Sequence, residues 1–263
     1  GAKTLLITAQ DPDGRVRLES WKAMRVVNDA NLPELLRLMS KAQSDSDRRE
    51  AEITVSTVAD TLPKHRRALP ILEQLASTDD VEATCSLLKV LGKTGGEGGL
   101  EMLRGMLDED DPKFVDAAIR GLAEWPDDEP MDDLLKIART SDNRTHRILA
   151  IRAYLRMIGL DKDRSGEESL TLYRQAMDLA PDTNAKRTVL SGLATVRTLE
   201  ALKFVAGYLE DDALGSEAAV TVERIASGLI QQGLGRECKP ILEKVIALTK
   251  DKDARKRIQR MLK

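Results

Sequence analysis

Aromatic side chains are scarce in this 263-residue chain, at 3% of all residues. That is too few for the core of a β-sandwich or a β-barrel. No apolar run approaches the about 18 residues that a membrane span needs, and no segment has the pattern of a signal peptide. Hydrophobic residues at 41% and charged residues at 32% exclude a disordered chain. The abundance of Leu, Ala, Arg, Glu and Asp favours an all-helical protein.

Excess charge of either sign is also lacking, because the net charge is −3. This balance does not indicate a nucleic-acid or membrane partner. The charges are nevertheless unevenly placed: residues 101–140 hold 5 basic and 12 acidic side chains, whereas residues 215–263 hold 11 basic and 6 acidic ones. Two interpretations remain open, solvated helix faces or a docking surface for a neighbouring domain.

Pairs of amphipathic segments recur along the chain. Residues 99–159 contain four apolar stripes with helical spacing, separated by short polar breaks. The first segments of successive pairs begin at Leu32, Leu69, Leu100, Met131, Leu170 and Leu202, so the steps are 37, 31, 31, 39 and 32 residues. Steps of this size are typical of repeats made of two helices. One such pair leaves its apolar stripes half exposed, so neighbouring pairs are expected to stack.

Capping residues mark the turn inside each predicted pair, where they can accept hydrogen bonds from the first N–H groups of the second helix. The predicted capping residues are Asp45 and Asp47, Asp79 and Asp80, Asp110 and Asp111, Asp142 and Asn143, Asp182 and Asn184, and Asp211 and Asp212. Small residues in the second helices, such as Gly92, predict a close approach of neighbouring helices. The sequences Leu32-Pro33-x-Leu35 and Leu69-Pro70-x-Leu72 predict inward-facing leucines in two first helices.

This pattern of Leu-Pro-x-Leu, an acidic turn and a second helix with Ala, Leu and a closing Gly resembles the HEAT repeat family. Second helices of that family often begin with Val-Arg, which is present here at Val16-Arg17, whereas Val81 precedes Glu82 and Val115 precedes Asp116. The sequence therefore does not predict a continuous Asp/Arg ladder. The resemblance covers nearly the whole chain and extends to HEAT modules of large bacterial multidomain proteins. It implies a spacer or interaction module, exported or periplasmic, and it transfers no catalytic residue.

Two loops partly match known ligand-binding motifs, one for phosphate and one for calcium. Gly92-Lys93-Thr94 and the glycines after it suggest a phosphate loop, but the required first Gly and the preceding strand are missing, so a helix end and a turn are expected instead. Asp161-x-Asp163-x-Ser165-Gly166 matches the first half of a calcium loop, while Leu172 occupies the position of the bidentate Glu. An ordinary polar loop and weak calcium binding both remain open.

Histidine and cysteine are rare. His65 and His146 have no second ligand at zinc spacing, so metal-free, solvent-facing side chains are expected. Cys85 and Cys238 lie about five helix pairs apart, which makes a disulfide between them unexpected in a stacked array. The redox compartment stays open, because large helical proteins fold without disulfides in any compartment.

A row of arginines is the candidate binding surface. Arg152 and Arg156 are four residues apart and should project from one side of a helix. Arg120 one repeat earlier and Arg187 one repeat later could extend the row into a groove for an acidic peptide or glycan. The alternative is that these arginines pair with neighbouring acids such as Asp116.

We therefore predict an all-α fold, a right-handed α-α superhelix, or α-solenoid, of about seven HEAT-like helix pairs. It is expected to form a single domain over residues 1–263, excised from a longer chain, and to be a monomer. The predicted function is that of a non-catalytic scaffold that binds a protein partner or an adjacent domain along its concave face, with no cofactor or metal. The alternative is a HEAT-fold enzyme acting on nucleic acid, similar to a DNA-base glycosylase, although the acidic segment 101–140 disfavours backbone binding.

Overall fold

The protein is all-helical. The computed structural model describes residues 1–42, 44–249 and 251–262, and in these residues the chain forms sixteen α-helices and no strand. The prediction of an all-α fold is therefore confirmed. The chain divides into two compact units, Gly1–Leu134 and Leu135–Lys263, and the division falls inside α9. The single domain over residues 1–263 stays a prediction.

The helices of the first unit alternate between the first and second members of the predicted pairs. They are α1 (Ala2–Thr8), α2 (Gly14–Ala23), α3 (Leu32–Met39), α4 (Asp45–Ala59), α5 (Ala68–Leu75), α6 (Val81–Thr94), α7 (Gly99–Gly105), α8 (Pro112–Glu124) and the start of α9 (Met131–Thr140). Each odd-numbered helix from α3 to α7 packs on the even-numbered helix that follows it. The even-numbered helices, called second helices below, also pack in series, α2 on α4, α4 on α6 and α6 on α8.

The second unit repeats this order of packing. After the end of α9 it contains α10 (Arg144–Ile158), α11 (Gly166–Leu179), α12 (Thr183–Leu193), α13 (Leu199–Ala206), α14 (Gly215–Gln231), α15 (Gly235–Leu248) and α16 (Lys252–Met261). Its second helices are in contact in the series α10, α12, α14 and α16. The first helices also pack in series, α11 on α13 and α13 on α15. Apolar stripes of both series meet in the interior, where Tyr154, Val189 and Ile225 are fully buried.

Helix starts follow the predicted capping residues in most pairs. The side chains of Asp80, Asp111, Asn143 and Asp182 cap α6, α8, α10 and α12 by accepting backbone N–H groups of the first turn. At α4 the prediction of Asp45 and Asp47 is wrong. Ser44 is the cap there, and it accepts the N–H of Asp47. Asp47 lies in the first turn and is buried. Because Ser44 supplies the cap, the carboxylate of Asp47 is left to pair with Arg17.

The inward face of α5 is also shifted from the prediction. Leu69 was expected to face the interior, but it is 58% exposed, while Ala68 and Ile71 are fully buried. The loop that follows α6 explains this difference, because the backbone of Gly96 rests against Ala68. Covering Ala68 turns the face defined by Ala68 and Ile71 inward and leaves Leu69 toward solvent.

Two glycines allow α6 and α8 to cross at very short range. A Cβ atom on Gly92 would lie 2.2 Å from the Cα of Gly121 and 2.3 Å from its carbonyl oxygen. Real Cβ atoms do not approach backbone this closely, so no larger residue fits at the crossing. The close approach brings the neighbouring leucines Leu88, Leu91 and Leu122 into the interior, where all three are fully buried.

We expect Gly92→Ala to destabilise the protein by about 3 kcal/mol or more, because overpacking here can be relieved only by separating two helices. Urea denaturation followed by circular dichroism measures the free energy of unfolding. Gly105→Ala is the matched control, since Gly105 is helical and a Cβ there would meet nothing within 4 Å. The control should be neutral or stabilising by up to about 1 kcal/mol. Equal losses in both variants would contradict a specific role for the crossing.

Candidate functional site

The four candidate arginines lie on three second helices. Arg120 is on α8 in the first unit, whereas Arg152 and Arg156 on α10 and Arg187 on α12 belong to the second unit. Helices α10 and α12 are in contact, so the second unit brings three of the four arginines onto neighbouring helices. Their surroundings differ strongly from one residue to the next.

Arg120 is neutralised on its own helix. Its Nε donates to Oδ2 of Asp116 at 2.7 Å, and a second guanidinium nitrogen lies 3.2 Å from Oδ1. This pairing one turn apart raises the pKa of the Arg120 guanidinium, chiefly through the hydrogen bond to Asp116. Arg120 therefore follows the pairing alternative, and little of its charge remains for a partner.

Arg187 connects α12 to the loop that precedes α14. Its Nε and one terminal nitrogen both donate to the carbonyl oxygen of Ala213, at 3.0 and 2.7 Å. The guanidinium thus satisfies a loop carbonyl that has no helical partner. Because a carbonyl carries no net charge, this contact does not neutralise Arg187.

Arg152 is the most available member of the set. It is exposed on α10 and has no hydrogen-bond or ion-pair partner within the described part of the chain. Arg156, one turn later, is also exposed but already takes part in an interaction within the chain. The remaining side of this helix is buried through Ile151, Tyr154 and Leu155, so Arg152 projects away from the interior as predicted.

Ion pairs connect successive second helices of the first unit. Between α2 and α4, the guanidinium of Arg17 donates through Nε to Oδ2 of Asp47 at 2.8 Å, and Asp47 is only 2% exposed. Between α4 and α6, Lys89 lies 3.7 Å from the buried Glu52. Between α6 and α8, the exposed Lys113 pairs with Glu82 at 2.8 Å. Every junction between second helices in this unit is therefore bridged by opposite charges.

The second unit has the same kind of bridge at two of its junctions. Arg144 of α10 pairs with Asp182 at the start of α12, at 2.7 Å. Arg257 of α16 binds Glu223 of α14 with two nitrogens, at 2.6 and 3.0 Å. The sequence does not predict these two pairs, because the partners are 38 and 34 residues apart and neither arginine follows a valine. The spacing of about one repeat is the only signal that could have found them.

The two histidines have different environments. His65 is exposed, as predicted. The prediction that His146 faces solvent is wrong, since it is 9% exposed and its Nε2 lies 3.4 Å from the side-chain nitrogen of Asn143. Its position explains this burial, because Ala150, Ala153 and Tyr154 follow at helical spacing on the same buried face.

The two candidate ligand loops have structural roles in this fold. Gly95, Gly96 and Gly98 have positive φ values of 64°, 111° and 75°, so they form the turn that ends α6. In the segment Asp161–Gly166, the carboxylate of Asp161 accepts the N–H of Asp163 and lies 3.5 Å from Arg164. Ser165 and Glu168 form a reciprocal capping box at the start of α11. Within the described residues, no three acidic, His or Cys side chains are grouped as a metal site.

Both cysteines are free thiols and buried, Cys85 in the first unit and Cys238 in the second. Burial raises the pKa of each thiol, which disfavours the reactive thiolate. No helix among the described residues is both long and apolar enough to cross a membrane.

Comparisons with known proteins give little to set beside this geometry. No family model matches the chain, and no curated protein matches it. A crystal structure described as an engineered protein is similar over 99% of this chain and 94% of its own, at 17% identity and a TM-score of 0.25. A likeness this weak carries no argument about fold or function.

We expect the buried and the exposed bridges to differ in their contribution to stability. Asp47→Asn removes the charge opposite Arg17 and should lower the free energy of unfolding by about 2 kcal/mol, because it leaves a half-buried guanidinium without a counter-charge. Glu82→Gln is the matched control, since its pair with Lys113 is exposed and should contribute less than about 1 kcal/mol. Urea denaturation of both variants measures the loss in the free energy of unfolding. A larger loss for Glu82→Gln than for Asp47→Asn would contradict this ranking.

The bridge between α10 and α12 should appear in the acid stability of the protein. The pKa of Asp182 is lowered because its carboxylate accepts the N–H of Ala185 and pairs with Arg144. A lowered folded-state pKa means that the contribution is present above the unfolded value of about 3.9 and is lost as pH falls through the folded value. Asp182→Asn should therefore be less stable than the parent protein at pH about 7, with the difference shrinking toward pH about 3. Urea denaturation at both pH values measures this, and a difference independent of pH would contradict it.

Proposed function

We propose that this chain is a right-handed α-solenoid of about seven HEAT-like helix pairs, acting as a non-catalytic scaffold that binds a protein partner or a neighbouring domain. The support comes from the packing order within each unit. First and second helices each form their own series, and each helix contacts others near it in the sequence. Such nearest-neighbour packing is how repeat proteins bury their cores. In a solenoid of this kind the second helices would share one surface.

The observation that carries the binding role is the exposed, unpartnered Arg152. Several cations on the second helices serve the fold, as Arg17 and Arg144 do by bridging helices and as Arg120 does by pairing with Asp116. Arg152 serves no such contact within the described residues. The planar guanidinium of such an exposed arginine suits bidentate recognition of a carboxylate.

The partner that fits this surface carries acidic side chains. Arg152 and Arg187 contribute positive charge from two neighbouring helices of the second unit, and neither faces a carboxylate in any described contact. Complementary charge would orient an acidic segment and accelerate its association. An acidic stretch of a partner protein or of a neighbouring domain is therefore the expected ligand.

The alternative function, an enzyme of HEAT architecture acting on nucleic acid, makes a different demand. It needs a continuous basic groove to neutralise several phosphates. In the first unit, Arg120 and Lys113 are already paired with acids of the same surface. This arrangement supports the protein partner over the duplex.

Fluorescence anisotropy with a labelled oligoglutamate peptide tests the proposal. We expect saturable binding that Arg152→Gln weakens about tenfold, because a charge-assisted hydrogen bond contributes about 1.5–3 kcal/mol. Arg120→Gln is the matched control and should bind like the parent protein, since Asp116 already neutralises that arginine.

Filter binding with duplex DNA at low salt supplies the second arm. Tight duplex binding, together with no peptide binding, would overturn the scaffold proposal in favour of the enzyme. Equal effects of the two arginine substitutions would remove Arg152 from the site.

A further inference from the structure

A cavity of about 460 Å³ lies in the second unit, and Arg152 is not among its lining residues. Three segments surround it: the end of α10 with the loop that follows, the first turns of α11, and the loop between α12 and α13. Its lining includes three cations, Lys162, Arg164 and Arg197, and a single acid, Asp161. Four hydroxyl-bearing residues also line it, namely Ser169, Tyr173, Thr195 and Thr198.

The charges of this cavity do not cancel. Arg164 is held by the carbonyl of Ile158 at 2.8 Å and by Asp161 at 3.5 Å, so these two opposite charges compensate each other. Lys162 and Arg197 have no hydrogen-bond or ion-pair partner within the described part of the chain. The cavity therefore retains an excess of two positive charges.

Glycines and close contacts fix the walls. A Cβ on Gly166, the first residue of α11, would lie 2.4 Å from the methyl carbon of Thr198, so the two loops are pressed together. Gly228 of α14 similarly makes room for the stem of Arg197, whose Cδ would lie 2.6 Å from an added Cβ. The guanidinium of Arg197 is thus carried on a stem packed against a helix, which lowers the entropy that binding must remove.

The hydroxyls remain neutral at ordinary pH. Burial raises the pKa of Tyr173, an effect that its hydrogen bond with Thr195 partly opposes. The hydroxyl of Thr195 itself donates to the carbonyl of Gly192 at 3.0 Å. Two carboxylates lie in the first turn of α11, Glu167 and Glu168, and neither is part of the cavity lining. Glu168 is occupied, because its Oε2 accepts the N–H of Ser165 at 2.9 Å.

We propose that this cavity binds the phosphate group of a phosphate monoester, held by Lys162 and Arg197 and by the hydroxyls of the lining. Two uncompensated positive charges match the charge of about −2 that such a group carries at neutral pH. Together with the two cations, the hydroxyls of Ser169, Tyr173 and Thr198 suit its three acceptor oxygens better than the two of a carboxylate. This proposal does not depend on the scaffold function, since it uses none of the residues assigned to the acidic partner.

Isothermal titration calorimetry with inorganic phosphate and with N-acetyl-phosphoserine amide tests the proposal, and N-acetyl-serine amide is the uncharged control ligand. Saturable heat with either phosphate ligand, and none with the serine amide, is the expected result. Tighter binding of the phosphoserine amide would assign the cavity to phosphorylated side chains of a partner. Tighter binding of inorganic phosphate would assign it to free phosphate or a small phosphate ester.

Variants then locate the binding. The double variant Lys162→Gln with Arg197→Gln should weaken binding about tenfold or more, since a charged hydrogen-bond donor typically contributes at least that factor. Glutamine keeps most of the packed stem of Arg197. Lys186→Gln on α12, outside the cavity lining, is the matched control and should bind like the parent protein. No saturable binding by the parent protein, or equal binding by the double variant and the control at unchanged thermal stability, would overturn the proposal.

Discussion

The crossing of α6 and α8 at Gly92 and Gly121 brings two helix backbones of the first unit into direct contact, and the packing around it depends on that contact. Because no Cβ separates the two backbones there, the leucines on either side reach the interior from both helices. Dispersion and the hydrophobic effect then stabilise a contact that neither helix could make alone. In the second unit, Gly192 does related work by making room for the ring of Tyr173, which would lie 2.7 Å from a Cβ at that position.

Electrostatics act on top of this packing and divide the charged residues into two groups. One group connects neighbouring second helices, as Arg17 does with Asp47 and as Arg257 does with Glu223. These charges fix the register between helices and are not available to a ligand. The second group, which includes Arg152, Lys162 and Arg197, faces no opposite charge among the described residues. Their charges have no ion-pair role within that part of the chain, and both proposals for function rest on them.

Local chemistry was predictable where a residue acts on its own segment. Asp80, Asp111 and Asn143 were identified as caps because a short polar side chain before an apolar stripe has one favourable role. Predictions failed where a distant segment decided the outcome. Leu69 is exposed because the loop at Gly96 covers Ala68 instead.

The sequence by itself determined the helical class and most of the helix caps, because the spacing of apolar residues and the position of caps are properties of the local chain. Only the tertiary structure decided which arginines are neutralised and which remain exposed. The bridge from Arg144 to Asp182 and the gathering of Lys162 with Arg197 join residues more than thirty positions apart. Such contacts depend on how one helix pair packs on the next, and that packing has no signature within a single segment.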